Sequence, residues 1–197
     1  MLLLGASSCL VTASPDFTPP ERTRPEIVTN DAFPPSPALG DEAKFQLDPQ
    51  SNQYTPVEFS AWVQSEDAGQ AVQAELLIDY GDQSGVSNGP YRSYVPGEPL
   101  APATLADGPR QVAIQWRPQA QEMFGCHTVT LVVTHAFKNK NPVFYCPADP
   151  DDSSMLTWFS LVCKSSTPDQ CVIDPTFQQC PIQGHDATYC AAAEGAQ

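Results

Sequence analysis

Positive charge is scarce in this chain. Its 197 residues carry 9 Lys and Arg against 23 Asp and Glu, a formal net charge of −14. A nucleic-acid binder needs clustered cations to neutralise phosphates, so the balance argues against that class. Charged residues of either sign make up only 16% of the chain, against about 25% in an average globular protein. No run of 18 apolar residues occurs, so no segment reads as a membrane-spanning helix. No stretch shows a 3.6-residue apolar stripe, which removes the usual signature of an amphipathic helix. No Cys-x-x-Cys pair and no Asn-x-Ser/Thr sequon is present. The length suits one domain with appendages, large enough to bury a core. Proline, at 21, and cysteine, at 7, are what the chain has in quantity.

The chain opens Met1-Leu2-Leu3-Leu4-Gly5-Ala6-Ser7-Ser8-Cys9. A short apolar stretch runs into small residues and then a cysteine. This resembles the end of a bacterial lipoprotein signal, whose lipobox closes on a Cys that becomes lipidated. Ala6 stands where that family prefers Leu, and the basic n-region of a full signal is missing. The resemblance implies residues 1–8 as a signal remnant and Cys9 as the lipidation site. It further implies a membrane-anchored, extracytoplasmic protein. Leu10 follows Cys9, not the Asp that retains such proteins at the inner membrane, so the resemblance points to the outer membrane of a Gram-negative bacterium.

Between Ser14 and Gly40 lie Pro15, Pro19, Pro20, Pro25, Pro34, Pro35 and Pro37. Proline fixes φ and removes a backbone donor, which excludes a helix or a central strand. Residues 9–40 are therefore expected to form an extended tether holding a domain clear of a membrane. The competing reading is a proline-rich ligand for another domain.

With Cys9 set aside for lipid, six cysteines remain: Cys126, Cys146, Cys163, Cys171, Cys180 and Cys190. An even set in an exported chain implies disulfides. Structural zinc wants close ligand pairs, whereas the spacings here are 20, 17, 8, 9 and 10 residues. Connectivity is open among fifteen pairings. Three of the six lie in the tail, so full intrachain pairing requires one or three bridges between tail and body. The tail, 165–197, is short of apolar residues and is expected to be irregular and held by those bridges.

From Phe45 onward the apolar period is two. Val57, Phe59, Ala61 and Val63 alternate with Glu58, Ser60 and Trp62; Val72, Ala74, Leu76, Ile78 and Tyr80 repeat the pattern, as do Val112, Ile114 and Trp116. Thr128–Thr134 and Met155–Cys163 are further runs of strand length. Strands broken by turn residues predict an all-β domain, a β-sandwich. If 126–135 and 155–163 pair antiparallel across the loop 136–154, Cys126 falls near Cys163, and Cys146 sits in that loop.

Two pieces resemble PKD-type immunoglobulin-like domains. Leu76-Leu77-Ile78-Asp79-Tyr80-Gly81-Asp82 is similar to their aromatic-Gly-Asp turn, and Phe124-Gly125-Cys126-His127-Thr128-Val129-Thr130-Leu131-Val132-Val133-Thr134 to their late strand. Gln83 replaces the second Gly of the turn, and no Trp stands two places before Tyr80. The resemblance covers about 41–164 and implies an Ig-like sandwich acting as an adhesive or spacer module.

Candidate chemistry is sparse. His127 and His135, eight apart on one strand, lie about 27 Å from each other and cannot share an ion; they read as strand-surface histidines. Gly81-Asp82-Gln83-Ser84-Gly85 is not G-x-S-x-G and reads as a tight turn. Asp149, Asp151 and Asp152 offer oxygens that would suit Ca²⁺, with Asp79 and Asp82 as weaker candidates, but the alternation of a calcium loop is missing. A solvated acidic loop, with no cofactor, is expected. Seven acids and no Lys or Arg lie between Phe45 and Tyr91, a face for solubility or for a basic partner. Trp62, Tyr91 and Tyr94 are candidates for stacking on a sugar.

The reading that results is a non-enzymatic exported lipoprotein with an Ig-like β-sandwich, structural or adhesive in the envelope, partnered by a membrane and by an envelope protein or glycan. A carbohydrate- or peptidoglycan-binding module is the alternative. A hydrolase ranks third, favoured only if a histidine meets a nucleophile.

Overall fold

The computed structural model describes residues 23–35, 44–48, 50–67, 69–81, 91–119, 124–140 and 144–163. The described residues are all-β, with ten strands in chain order: β1 (Glu26–Phe33), β2 (Lys44–Phe45), β3 (Val57–Gln64), β4 (Gln73–Ile78), β5 (Ser93–Pro96), β6 (Arg110–Trp116), β7 (Gly125–Thr134), β8 (Phe137–Lys140), β9 (Phe144–Pro147) and β10 (Ser153–Val162). One sheet runs β1-β3-β6 and a second runs β2-β10-β7-β4-β5, while β8 and β9 form a separate hairpin. All pairings are antiparallel except that of β2 with β10.

Period two does what the sequence predicts. Phe59, Ala61 and Val63 of β3, with Val112, Ile114 and Trp116 of β6, share one buried core with Ala74, Leu76 and Ile78 of β4, Val129, Leu131 and Val133 of β7, and Trp158 of β10. Each such large side chain contributes roughly 1.5–3 kcal/mol by leaving water. Aromatic rings lock the two sheets together. Phe45 meets Trp116 edge-on at 4.6 Å and Phe59 meets Trp158 at 5.3 Å, geometries that suit the ring quadrupoles. The fully buried indole of Trp158 donates from Nε1 to the Pro34 carbonyl at 2.6 Å, so its polar atom is satisfied. The expected antiparallel pairing of 126–135 with 155–163 is present, from Ser153 opposite Thr134 to Val162 opposite Gly125.

Two expectations need correction. The tether expected over 9–40 contains strand β1, so the folded domain begins before residue 41. Proline excludes a central strand but not an edge. Pro25 and Pro34 bracket β1, which sits at the edge of its sheet. Each end of β1 is also fastened to β10 of the other sheet: Ser154 Oγ donates to the Pro25 carbonyl at 2.5 Å, and Trp158 to that of Pro34. The expected loop 136–154 likewise contains the β8–β9 hairpin. A second apolar cluster on the outer side of the larger sheet joins Leu77, Tyr80, Tyr91, Val132 and Cys146, with Phe137 and Met155 packed against it. This cover explains why β4 and β7 are buried on both faces.

Gly97 marks a close approach where β5 ends. A Cβ there would stand 2.7 Å from Ile114 Cδ1 and 2.9 Å from the Ala74 carbonyl oxygen.

Candidate functional site

The inward face of β7 ends in a histidine at each side. His127 and His135 flank Val129, Leu131 and Val133, and both are buried, 4% and 5% exposed. They are not the surface residues that their strand suggested. Each is held by a buried aspartate supplied from another element.

At one end, a single turn of 3₁₀ helix, Pro150–Asp152, precedes β10. Asp149 caps it, its Oδ1 accepting the Asp151 N–H at 3.0 Å. The turn points Asp152 inward, because Ser153 is already paired with Thr134, the neighbour of His135. Asp152 Oδ1 lies 2.7 Å from His135 Nδ1. An ionised carboxylate only accepts, so Nδ1 is assigned the proton. The other ring nitrogen, Nε2, stands 3.2 Å from Oγ of Ser65, the residue after β3. Ser65 Oγ also accepts the Asp67 N–H at 3.3 Å. The result is a chain carboxylate–imidazole–hydroxyl that spans both sheets.

This is the connectivity by which serine hydrolases activate a nucleophile. Access decides what it does here. Ser65 is 3% exposed and Asp152 5%, and Ser65 Oγ is already spent on two partners. A recess of about 360 Å³, lined in part by Tyr54, Arg117 and Pro118, lies at the opposite end of the sheets. Buried and mutually hydrogen-bonded, the trio ties β3 to β7 and to the start of β10. Each bond contributes roughly 0.5–1.5 kcal/mol net, and an orphaned partner costs more. Sequence reasoning missed it because its members stand 70 and 17 residues apart and belong to no motif.

At the other end, Asp79 leaves β4 with a positive φ of 54°. Its Oδ2 lies 2.8 Å from His127 Nδ1 and its Oδ1 accepts the Thr128 N–H at 3.1 Å. Arg92, partly exposed, places Nε 3.4 Å from the same Oδ2. Asp79, a weak calcium candidate, is thus engaged with cationic and N–H partners. Of the stronger acidic candidates, Asp149 and Asp151 are exposed, while Asp152 turns inward to His135. Among the described residues, no group of three or more His, Cys, Asp or Glu side chains is placed to hold a metal ion. Asp82 lies outside the described residues.

Glu75 points to the outer side of β4, opposite Val132 of β7 and Pro96 of β5. It is 6% exposed and its Oε2 has no hydrogen-bond partner among the described residues. Burial pushes its pKa up to about 8.

The three stacking candidates do not form one platform. Trp62 lies on β3, whereas Tyr94 belongs to β5 of the other sheet. Tyr91 is buried, Tyr94 is 39% exposed, and their rings cross at 74° rather than lying coplanar. Of the cysteines, Cys126 stands opposite Leu161, two residues before Cys163, so both sulfurs sit at one end of the β7–β10 pair. Cys146 is in β9, opposite Lys138. Cys9, Cys171, Cys180 and Cys190 lie outside the described residues. Among the described residues, no helix is long and apolar enough to cross a membrane. The chain matches no protein-family model, no curated protein and no solved structure.

Proposed function

We propose that this chain is a non-enzymatic, exported lipoprotein of the bacterial envelope, anchored through Cys9 and carrying an Ig-like β-sandwich with a structural or adhesive role. The observation that carries the non-enzymatic part is the burial of the Ser65–His135–Asp152 trio. A nucleophile must reach its substrate, and here the hydroxyl is enclosed and hydrogen-bonded on both sides. The Ig-like part draws support from two sheets of three and five strands around one core, with the PKD-like turn at the end of β4 and the PKD-like late strand as β7. The six remaining cysteines are proposed to form three bridges that brace the tail 165–197 against the body. Supporting this, Cys146 and Cys163 are buried, and Cys126 stands opposite Leu161, at the Cys163 end of the β7–β10 pair.

Mass spectrometry of the mature protein from the membrane fraction of its host tests the reading. The expected result is an N-terminal, acyl-modified Cys9 and six oxidised cysteines. Recovery of an unmodified chain beginning at Met1, with reduced thiols, would overturn it.

A further inference from the structure

The outward side of the three-stranded sheet is partly open: its β6 residues and Glu58 are exposed, Trp62 and Gln64 are half-buried, and Ser60 is buried. Alternation on β3 sends Glu58, Ser60, Trp62 and Gln64 outward, opposite to the core residues Phe59, Ala61 and Val63. The register brings Gln111 beside Trp62, Ala113 beside Ser60 and Gln115 beside Glu58 on β6. Across β1, Val28 stands beside Trp62, Glu26 beside Gln64 and Phe33 beside Ser60. Gln111, Ala113, Gln115 and Glu58 are all exposed, so solvent reaches this face. Phe33 is 45% exposed, one of the most exposed large apolar side chains among the described residues.

Phe33 and Trp62 are thus diagonal neighbours, roughly 7–8 Å apart by the spacing of strands. Gln111 and Gln64 adjoin Trp62, and Gln115 lies farther along β6 beside Glu58. An amide both donates and accepts, as do neighbouring sugar hydroxyls. An aromatic ring offers an apolar surface to the C–H face of a pyranose. Ser60 Oγ accepts from Gln111 Nε2 at 3.3 Å, which holds that amide over β3 beside Trp62. Charge narrows the ligand further. The outward positions named carry two carboxylates, Glu26 and Glu58, and no Lys or Arg, on a chain of net charge −14. An anionic polymer is repelled by such a surface, whereas an uncharged one is not.

We propose that the outer face of β1, β3 and β6 binds an uncharged, extended polysaccharide chain. Trp62 and Phe33 stack on two of its rings, and the amides of Gln64, Gln111 and Gln115 bond its hydroxyls. This deepens the adhesive reading by naming its ligand class and does not depend on the lipid anchor.

Fluorescence titration of the full chain tests it, with N-acetylchitohexaose and cellohexaose as probes. The chain has 3 Trp, and Trp116 and Trp158 are 4% and 0% exposed, so quenching by acrylamide reports chiefly on Trp62. The expected result is that one or both hexasaccharides shift the emission and protect it from acrylamide. Trp62→Phe should abolish this signal, while Trp62→Ala and Phe33→Ala should weaken binding, followed by calorimetry, about tenfold or more. Gln111→Ala and Gln115→Ala, at exposed positions that leave the core intact, should weaken it too. Tyr94→Ala, on the other sheet, should not. Silence with both hexasaccharides would overturn the proposal, as would wild-type affinity in Trp62→Ala and Phe33→Ala, or tighter binding to dextran sulfate. The state of Cys9 is read by mass spectrometry alone, so a failure here is distinct from a failure of the anchor.

Discussion

Asp152→Ala is the perturbation that most directly tests the role assigned to the buried trio. The wild-type carboxylate accepts from His135 Nδ1 at 2.7 Å, inside a site where Asp152 is 5% exposed. Removing it leaves a buried N–H without an acceptor, a loss of about 1–3 kcal/mol. Ser65→Ala removes the bond at the far side of the imidazole and the acceptor for the Asp67 N–H. Its cost should be of similar size, about 1–3 kcal/mol, because the buried Nε2 is left without a partner. If the three side chains act as one unit, the two losses will not add, and a double-mutant cycle should show coupling of at least about 0.5 kcal/mol. Urea denaturation of the oxidised protein measures each term through the midpoint at constant slope. In thermal melts the Asp152→Ala loss should appear as a fall of several degrees, since each kcal/mol shifts a chain of this size by roughly 2–4 °C. A stability within about 0.5 kcal/mol of wild type for Asp152→Ala would refute the reasoning, being below the cost of one orphaned donor. So would covalent labelling of native Ser65 by a fluorophosphonate, because a sealed hydroxyl cannot attack phosphorus.

Three further outcomes are expected. Glu75 keeps its proton in the folded state up to about pH 8, against 4.5 for an ordinary glutamate, so the folded chain binds more protons than the unfolded one in that window. Stability should therefore be greatest below the lower value and decline as pH rises from it through the upper one, by several kcal/mol and at most about 5; in Glu75→Gln, denaturant midpoints at acid and alkaline pH should lose that part of the decline. Gly97→Ala should destabilise by about 1–3 kcal/mol, because the new methyl meets Ile114 and the Ala74 carbonyl at 2.7 and 2.9 Å; a Gly97→Ala, Ile114→Val double variant should recover part of the loss in the same melts. Trp158→Phe deletes the donor to Pro34 at 2.6 Å and opens space beside Phe59; a loss of at least about 1 kcal/mol by urea denaturation is expected, with faster proteolysis near β1.

The strands that carry the core were legible because period two is a local property. Phe59, Ala61 and Val63 face inward whatever their partners, since successive side chains on a strand alternate. The pairing of β7 with β10 was legible for a related reason: two adjacent β-rich runs of equal length need only a connection to fold against each other. Strand β1 was not legible. Proline at 25 and 34 marks breaks in hydrogen bonding, and only the neighbouring edge of β3 makes the intervening residues a strand. The β8–β9 hairpin was hidden because its value lies in covering Leu77 and Val132 on another sheet.

The site follows the same division. Composition and spacing alone determined an all-β body, a scarcity of cations and the absence of any local catalytic motif, because each is a property of residues close in sequence. Only the tertiary structure decided that His135 meets Ser65 and Asp152, that His127 meets Asp79, and that Trp62 parts from Tyr94 while gaining Phe33. Those outcomes depend on which strand edge meets which across the two sheets, a matter of long-range register that no window of neighbouring residues contains.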